Sequence, residues 1–492
     1  MSSQSSRFVD EYFNVHERGT ELGRGGQGIV FRTKDPGVAV KLALDGEGRP
    51  VTHAGYAEKL RRVRALPVPP GLNLAAPMAV LQGTAGYAMR LLTDMVPFAS
   101  FWPDPSGRTP ERLAGLPPWL ASMPEELAFS LVWYRDSGGL QRRLLAFYKC
   151  ASILSRLHGA GLVYGDVSPA NAFISQDRCS REVWLIDADN LRYETPRPGG
   201  GVYTPRFGAP ELVQGLDGGR QRTDCHAFAV MAFSGLTLLH PFIGRHVEAG
   251  GDADWADDDA SATDLDERAY AGHLPWILDA QDDRNHKDNG LIALVLTDGL
   301  LALFQATFGP GRTKPWMRST MARWAREFAR AADQAVLCGG CDMSHLFDFD
   351  DGAQACPFCE APRPSTLVAT AHDWLGEPPQ HRAPAWRLAR SLRPTESTLV
   401  LPHRLFYPFS VVDGDRDLLE LRWERDELRL TCRDAGRSHR LAVAVELEGS
   451  DAFVEFEGTA AIPLPLPESG FWLRVGGLYP RVVHCTLQGG HP

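Results

Sequence analysis

Asp166 and Asn171 stand five residues apart in Val163-Tyr164-Gly165-Asp166-Val167-Ser168-Pro169-Ala170-Asn171, and Asp187 follows in Leu185-Ile186-Asp187-Ala188-Asp189. A carboxylate at Asp166 can take the proton of a hydroxyl. The side-chain oxygens of Asn171 and Asp187 are hard donors, the kind magnesium selects when it bridges nucleotide phosphates. An acidic residue in a loop is common, so the weight of this trio depends on what the rest of the chain supplies. A second constellation sets Cys338-Gly339-Gly340-Cys341 and Cys356-Pro357-Phe358-Cys359 fourteen residues apart. Four thiolates at that spacing fill a tetrahedral zinc shell and leave no open position, which points to a structural metal and not a catalytic one. Asp342, His345 and Asp348 are expected at the surface, outside that shell. Cys150, Cys179, Cys225, Cys432 and Cys485 read as small apolar fillers.

Upstream, Leu22-Gly23-Arg24-Gly25-Gly26-Gln27-Gly28-Ile29-Val30 satisfies G-x-G-x-x-G-x-V. Glycines let backbone N–H groups approach phosphates without an intervening Cβ. A dinucleotide-binding fold would continue into a helix, with an acidic residue about twenty positions on. Here a strand pattern follows, Ile29-Val30-Phe31-Arg32, and then Val38-Ala39-Val40-Lys41, so the loop reads as a hairpin lid. Lys41 ends an apolar strand, where an unpaired ammonium is costly to bury. Glu58, in a helix expected over Tyr56–Leu66, is the natural counter-ion, with Glu47 in a glycine-containing turn as its rival.

The elements that must position these residues follow from periodicity. Residues 20–95 form short apolar runs bounded by Gly and Pro, with the one helix between them. Residues 97–118 are proline-rich and read as loop, and helical spacing dominates 140–158, 223–239, 290–308 and 317–335. The acidic run within 252–267 reads as a solvated insertion. Six prolines between 361 and 395 predict a linker, and period-two alternation from about 397 onward predicts an all-β domain, sandwich-like. The fold class is thus α+β, divided as 1–95, 96–335, 336–360, 361–396 and 397–492. A net charge of −10 without a basic stripe argues against nucleic acid and anionic membranes. The opening residues lack a signal-like apolar core and the chain has no run of about 18 apolar residues, so a cytoplasmic location is expected.

The order of motifs (glycine loop, Val38-Ala39-Val40-Lys41, helix glutamate, Asp166 to Asn171, then Asp187) resembles the protein kinase superfamily, in its bacterial eukaryotic-like Ser/Thr form. Gly208-Ala209-Pro210-Glu211, Asp224 and Arg318 extend the likeness, which covers about residues 15–333. It implies a bilobal fold, with 1–95 and 96–335 as its lobes, carrying ATP- and Mg-dependent transfer of a phosphoryl group to protein hydroxyls, with autophosphorylation as one outcome. Gly23, Gly25, Gly26, Gly28, Val30 and Ala39 would line the nucleotide, and Lys41, held by Glu58, would grip its phosphates. Asn171 and Asp187 would hold magnesium, and Asp166 would act on the acceptor. It also implies that Asp224 braces the catalytic loop and that Arg318 pairs with Glu211. The chain departs from the family at Tyr164-Gly165, which removes an arginine that reads activation-segment phosphates. Ser168 removes a lysine, and Asp187-Ala188-Asp189 drops an aromatic and a glycine. A nucleotide-binding pseudokinase scaffold and a small-molecule kinase like the aminoglycoside phosphotransferases stay open as alternatives. A weaker likeness to kinases of tellurite-resistance-type gene sets implies a phosphatase partner. The zinc ribbon and β domain are expected to dock a protein substrate and to be separable from nucleotide binding.

Overall fold

The computed structural model describes residues 7–25, 28–45, 47–51, 54–107, 116–120, 123–178, 180–194, 201–250, 262–351, 355–375, 379, 382–392, 397–408, 411, 416–433, 440–446, 452–476 and 481–489. Gly26, Cys179 and most of the acidic run in 252–267 lie outside the described residues. The chain is a mixed α+β structure built on several antiparallel sheets.

Its first sheet contains β1 (Arg7–Val9), β2 (Val15–Gly25), β3 (Gly28–Thr33), β4 (Val38–Ala43), β5 (Ala79–Val80) and β6 (Gly86–Arg90). They are ordered β1-β2-β3-β4-β6-β5. The central strand β4 is apolar on both faces because both are covered. Val40 and Leu42 pack with Phe8, Ile29 and Phe31. Ala39 packs on the other side with Leu60, Val80, Tyr87 and Met89. Side chains alternate along a strand, so Lys41 shares the face of Ala39 and points toward the helix Ala54–Arg64 that supplies Leu60.

The helical body that follows contains Glu125–Asp136, Gly139–Gly159, Gln221–Thr237, Asp298–Phe308 and Met321–Gln334. Edge-to-face and tilted rings of Phe147, Phe228, Phe304, Trp324 and Phe328 interlock at its centre. The helix expected over 290–308 is broken, because Thr297 caps a new one by accepting a bond from Leu300 N at 3.3 Å. Between the helices run β7 (Met95–Pro97), β8 (Leu162–Val163), β9 (Ala172–Ser175), β10 (Val183–Leu185) and β11 (Arg192–Tyr193), with sheet orders β10-β9-β7 and β11-β8.

Beyond Gln334 a hairpin of β12 (Ala335–Leu337) and β13 (Ser344–Leu346) leads to two antiparallel sheets. The expected linker is corrected here. Residues 361–396 hold β14 (Thr366–Asp373) and β15 (Trp386–Ser391), which belong to a six-stranded sheet with four strands from 440–488. Pro362, Pro364, Pro378, Pro379, Pro384 and Pro394 all fall outside both strands, so counting prolines across the window hides the alternation of buried Leu367, Ala369 and Ala371. A four-stranded sheet from 398–463 completes the region, and both sheets share one apolar core with the helical body.

That junction is polar at its centre. Fully buried Asp333 accepts bonds from Arg390 Nη2 at 2.6 Å, Arg404 Nη2 at 2.6 Å and Nε at 2.8 Å, and Trp386 Nε1 at 2.9 Å. Tyr148 adds a bond to the carbonyl of Val411 at 2.5 Å. The separability expected of the terminal region is therefore corrected: cutting at residue 335 strands Asp333 without its guanidinium partners. Asp333→Ala leaves two guanidinium groups uncompensated in the interior, a loss of about 3–5 kcal/mol. Thermal unfolding followed by circular dichroism is expected to show a single transition at lowered temperature, and an unchanged midpoint would refute the clamp.

Candidate functional site

The site sits where the first sheet meets the β7–β10 and β8–β11 strands. Asp166 and Asn171 flank the turn before β9, and Asp187 follows β10, so the β9–β10 hairpin brings the three together. Asn171 Nδ2 donates to both the carboxylate and the carbonyl of Asp166, each at 3.0 Å. The other carboxylate oxygen of Asp166 accepts from the Thr204 hydroxyl at 2.7 Å. Burial lifts the Asp166 carboxyl above its usual range, against the pull of those two hydrogen bonds.

The loop before Asp166 is held from behind by Asp224, in the first turn of Gln221–Thr237. Its two oxygens accept from Tyr164 N at 2.8 Å and Gly165 N at 2.9 Å. Gly165 has a φ of 89°, a conformation that side chains resist. His158 Nε2 lies 3.0 Å from the same carboxylate, and Tyr164 also bonds the carbonyl of Ile186, tying this loop to the one bearing Asp187. Glu211 and Arg318 form a two-pronged pair at 2.6 and 2.7 Å, with Arg318 buried.

Lys41 is 2% exposed and reaches Asp187 Oδ1 at 2.9 Å and Asp189 Oδ2 at 3.4 Å. Burial alone would depress its ammonium, and the carboxylates of Asp189 and Asp187 outweigh that and raise it. The expected pairing with Glu58 is corrected. At about 100° per residue Glu58 lies about 160° around the helix from Leu60, which faces the sheet. It is 54% exposed and pairs with Arg62 at 3.2 Å, while the rival Glu47 pairs with Arg49 at 2.6 Å in solvent. Tyr56 takes the inward position instead, donating to Asp189 Oδ2 at 2.9 Å, and Lys59 donates to Asn190 at 3.0 Å.

The expected nucleotide-lining residues divide. Gly23 and Gly25 border open space, whereas a Cβ on Gly28 would come within 2.8 Å of both Lys41 Cε and the Leu42 carbonyl. Gly28 is therefore required by the lysine stem. Ala39 is buried with Val30 against it, in the cluster beneath the lysine. Asp189 Oδ1 and Ser168 Oγ are buried with no hydrogen-bond partner among the described residues. Thr204 and Tyr56 escape sequence reading altogether, since neither lies in a motif that the spacing singles out.

The four cysteines of the C-x-x-C pairs also meet. Cys338 and Cys359 sulfurs stand 3.7 Å apart, as do those of Cys341 and Cys356, and all four lie within 4.8 Å of one another. A tetrahedron with Zn–S bonds of about 2.3 Å has edges of about 3.8 Å, so the set can hold such a metal. Each pair closes the same turn: Asp342 N bonds the Cys338 carbonyl at 3.2 Å and Glu360 N the Cys356 carbonyl at 2.9 Å, both residues at φ 59°. Asp342 and Asp348 are exposed, but His345 is buried and bonds the Leu346 carbonyl, so its expected surface position is corrected. Cys150, Cys225 and Cys485 are buried and Cys432 half-buried.

No protein-family model and no curated protein matches the chain. No described helix is long and apolar enough to cross a membrane.

Burial lowers the His158 imidazole, but Asp224 and Cys225 raise it more, to about 9. A raised folded-state value stabilises below the unfolded value of about 6.5 and is lost as pH climbs through about 9. The thermal midpoint is expected to fall between those limits, and His158→Gln to flatten that part of the curve in a pH series. A slope that survives the substitution assigns it to another group.

Proposed function

We propose that residues 15–333 are an ATP- and Mg-dependent phosphotransferase of the protein kinase type, acting on serine or threonine hydroxyls. The observation that carries this reading is a buried ammonium set between Asp187 and Asp189, beside an Asp166 that already accepts a threonine hydroxyl. The first sheet and the helical body would be its two lobes. Asn171, Asp187 and Asp189 offer the hard oxygens that would hold magnesium, which neutralises phosphate charge when bound. The unpartnered Asp189 Oδ1 fits that role. Lys41 would meet the nucleotide phosphates, beneath the open face of Gly23 and Gly25.

Asp166 would orient the acceptor hydroxyl and take its proton. The Thr204 bond supports this, because its 2.7 Å contact is the geometry an acceptor needs. Purified protein with labelled ATP and magnesium is expected to label itself or a generic protein substrate, and Asp166→Asn to abolish it. Equal labelling by the variant sinks the assignment. ATP-dependent thermal stabilisation without transfer replaces it with a nucleotide-binding scaffold, and labelling of aminoglycosides alone with a small-molecule kinase.

Asp189, not Glu58, would anchor Lys41. Glu58→Gln is expected to keep transfer within about twofold. Asp189→Asn loses a charge-assisted contact of about 1.5–3 kcal/mol, or roughly ten- to a hundredfold in rate. The opposite ranking in the same assay would return the role to Glu58.

The four sulfurs would bind one structural zinc, a ribbon spanning about 336–363 that joins the body to the terminal sheets. Elemental analysis is expected to find close to one zinc per chain, lost in Cys341→Ser together with thermal stability. A metal-free protein of undiminished stability would contradict this. Docking of a protein substrate on the terminal region, and a phosphatase partner, remain parts of this proposal that rest on sequence likeness.

A further inference from the structure

A second polar feature lies on the far side of the β9–β10 hairpin. A cleft of about 910 Å³ opens between the Glu125–Asp136 and Gly139–Gly159 helices, the β12–β13 hairpin and the terminal sheets. Arg135, Arg142, Arg178, Arg181 and Arg390 line it, against the acids Asp136 and Asp342. A neighbouring cavity of about 530 Å³ shares Arg181 and adds Lys149, Arg156 and Arg416, against Glu182 and Asp417. The two make one elongated trough of basic lining on a chain whose net charge is −10.

The charge there is not neutralised within the trough. Asp136 pairs with Arg135 at 2.9 Å, and Asp417 is shared by Arg181 at 3.7 Å and Arg433 at 3.6 Å. Arg142 spends Nη2 on the Ser175 carbonyl at 2.6 Å, and its buried Nε has no partner among the described residues. Arg178 bonds only a carbonyl, that of Asp136, among the contacts described. Burial depresses the Arg142 guanidinium and the nearby Arg178 charge depresses it further; Arg181 acts on Arg390 in the same sense. Guanidinium groups kept close against mutual repulsion, with donors to spare, are an anion receptor.

We propose that this trough binds a phosphorylated peptide segment, its phosphoryl groups received by Arg142, Arg178 and Arg181. A phosphoryl group carries nearly two charges and three acceptor oxygens, which suits adjacent guanidinium forks better than one carboxylate does. Leu145, Ala146, Ile174, Val336, Leu337 and Leu399 alternate with the arginines in the larger cleft and would receive peptide side chains between phosphates. Nucleic acid is disfavoured, because the lining offers a single aromatic ring, Tyr148, and so no stacking platform. The inference does not depend on phosphoryl transfer.

The test uses the full chain without ATP and a fluorescein-labelled decapeptide of alternating alanine and phosphoserine, followed by anisotropy. Binding is expected to weaken with salt, to drop at least tenfold in Arg178→Glu/Arg181→Glu, and to persist in Asp166→Asn and under saturating ADP. Both arginines sit at the exposed hairpin tip, and circular dichroism checks that the double variant folds. Should it not fold, Arg142→Met, which keeps the buried stem, is expected to give the same loss. Equal binding of the serine peptide, equal binding by whichever folded variant is used, or displacement by ADP would overturn the proposal. So would equally tight binding of inorganic pyrophosphate, which assigns the site to a small anion, or tighter binding of a ten-nucleotide thymidine strand. Loss of labelling activity with intact peptide binding would count against the proposed catalytic function alone.

Discussion

The interior of the site is organised by the cost of burying one ammonium. Lys41 projects from a strand apolar on both faces, and at 2% exposure its charge must be matched within a few ångströms. Asp187 and Asp189 do this, and in doing so they tie the first sheet to a loop almost 150 residues further along. Around that tie the other contacts are consistent. Tyr56 and Lys59 face the same loop from the helix, Gly28 makes way for the lysine stem, and Tyr164 links the Asp166 loop to it. Without the two carboxylates, sheet and helical body would share an apolar contact with an uncompensated charge in it.

A second buried charge works the same way at the other end. Asp333 closes the last helix of the body, and the guanidinium groups that satisfy it come from the terminal region. The metal-binding cysteines sit between the two, on a hairpin bonded to Ser391 on one side and Gln141 on the other. The terminal sheets are thus part of the same folded body.

Much of the site was legible because several of its members depend on local spacing. Asp166 and Asn171 bond across five residues of one turn, and the cysteine pairs close identical tight turns. Asp224 and the Glu211–Arg318 pair were legible only through the order of motifs, since they act across 60 and 107 residues. Glu58 was misread although the signal was present: the spacing of Leu60 and Val63 that predicts the helix also turns Glu58 outward. Thr204 and Tyr56 could not be found, because their partners are set by tertiary approach and their neighbours carry no periodicity or motif. In 361–396, proline frequency overrode an alternation that the strands required.

The source of the lysine's counter-charge has a mechanical consequence. Where such a partner rides on a movable helix, displacing the helix disconnects the ammonium and leaves the metal-binding aspartate where it was. Here both carboxylates stand two residues apart, on a short 3-10 turn that begins with Asp187 in the left-handed region at φ 56°. Any rotation of that turn moves both at once. The chain has fused two independent adjustments into a single hinge, and whatever governs this protein must act on residues 187–190 and not on the helix beside them.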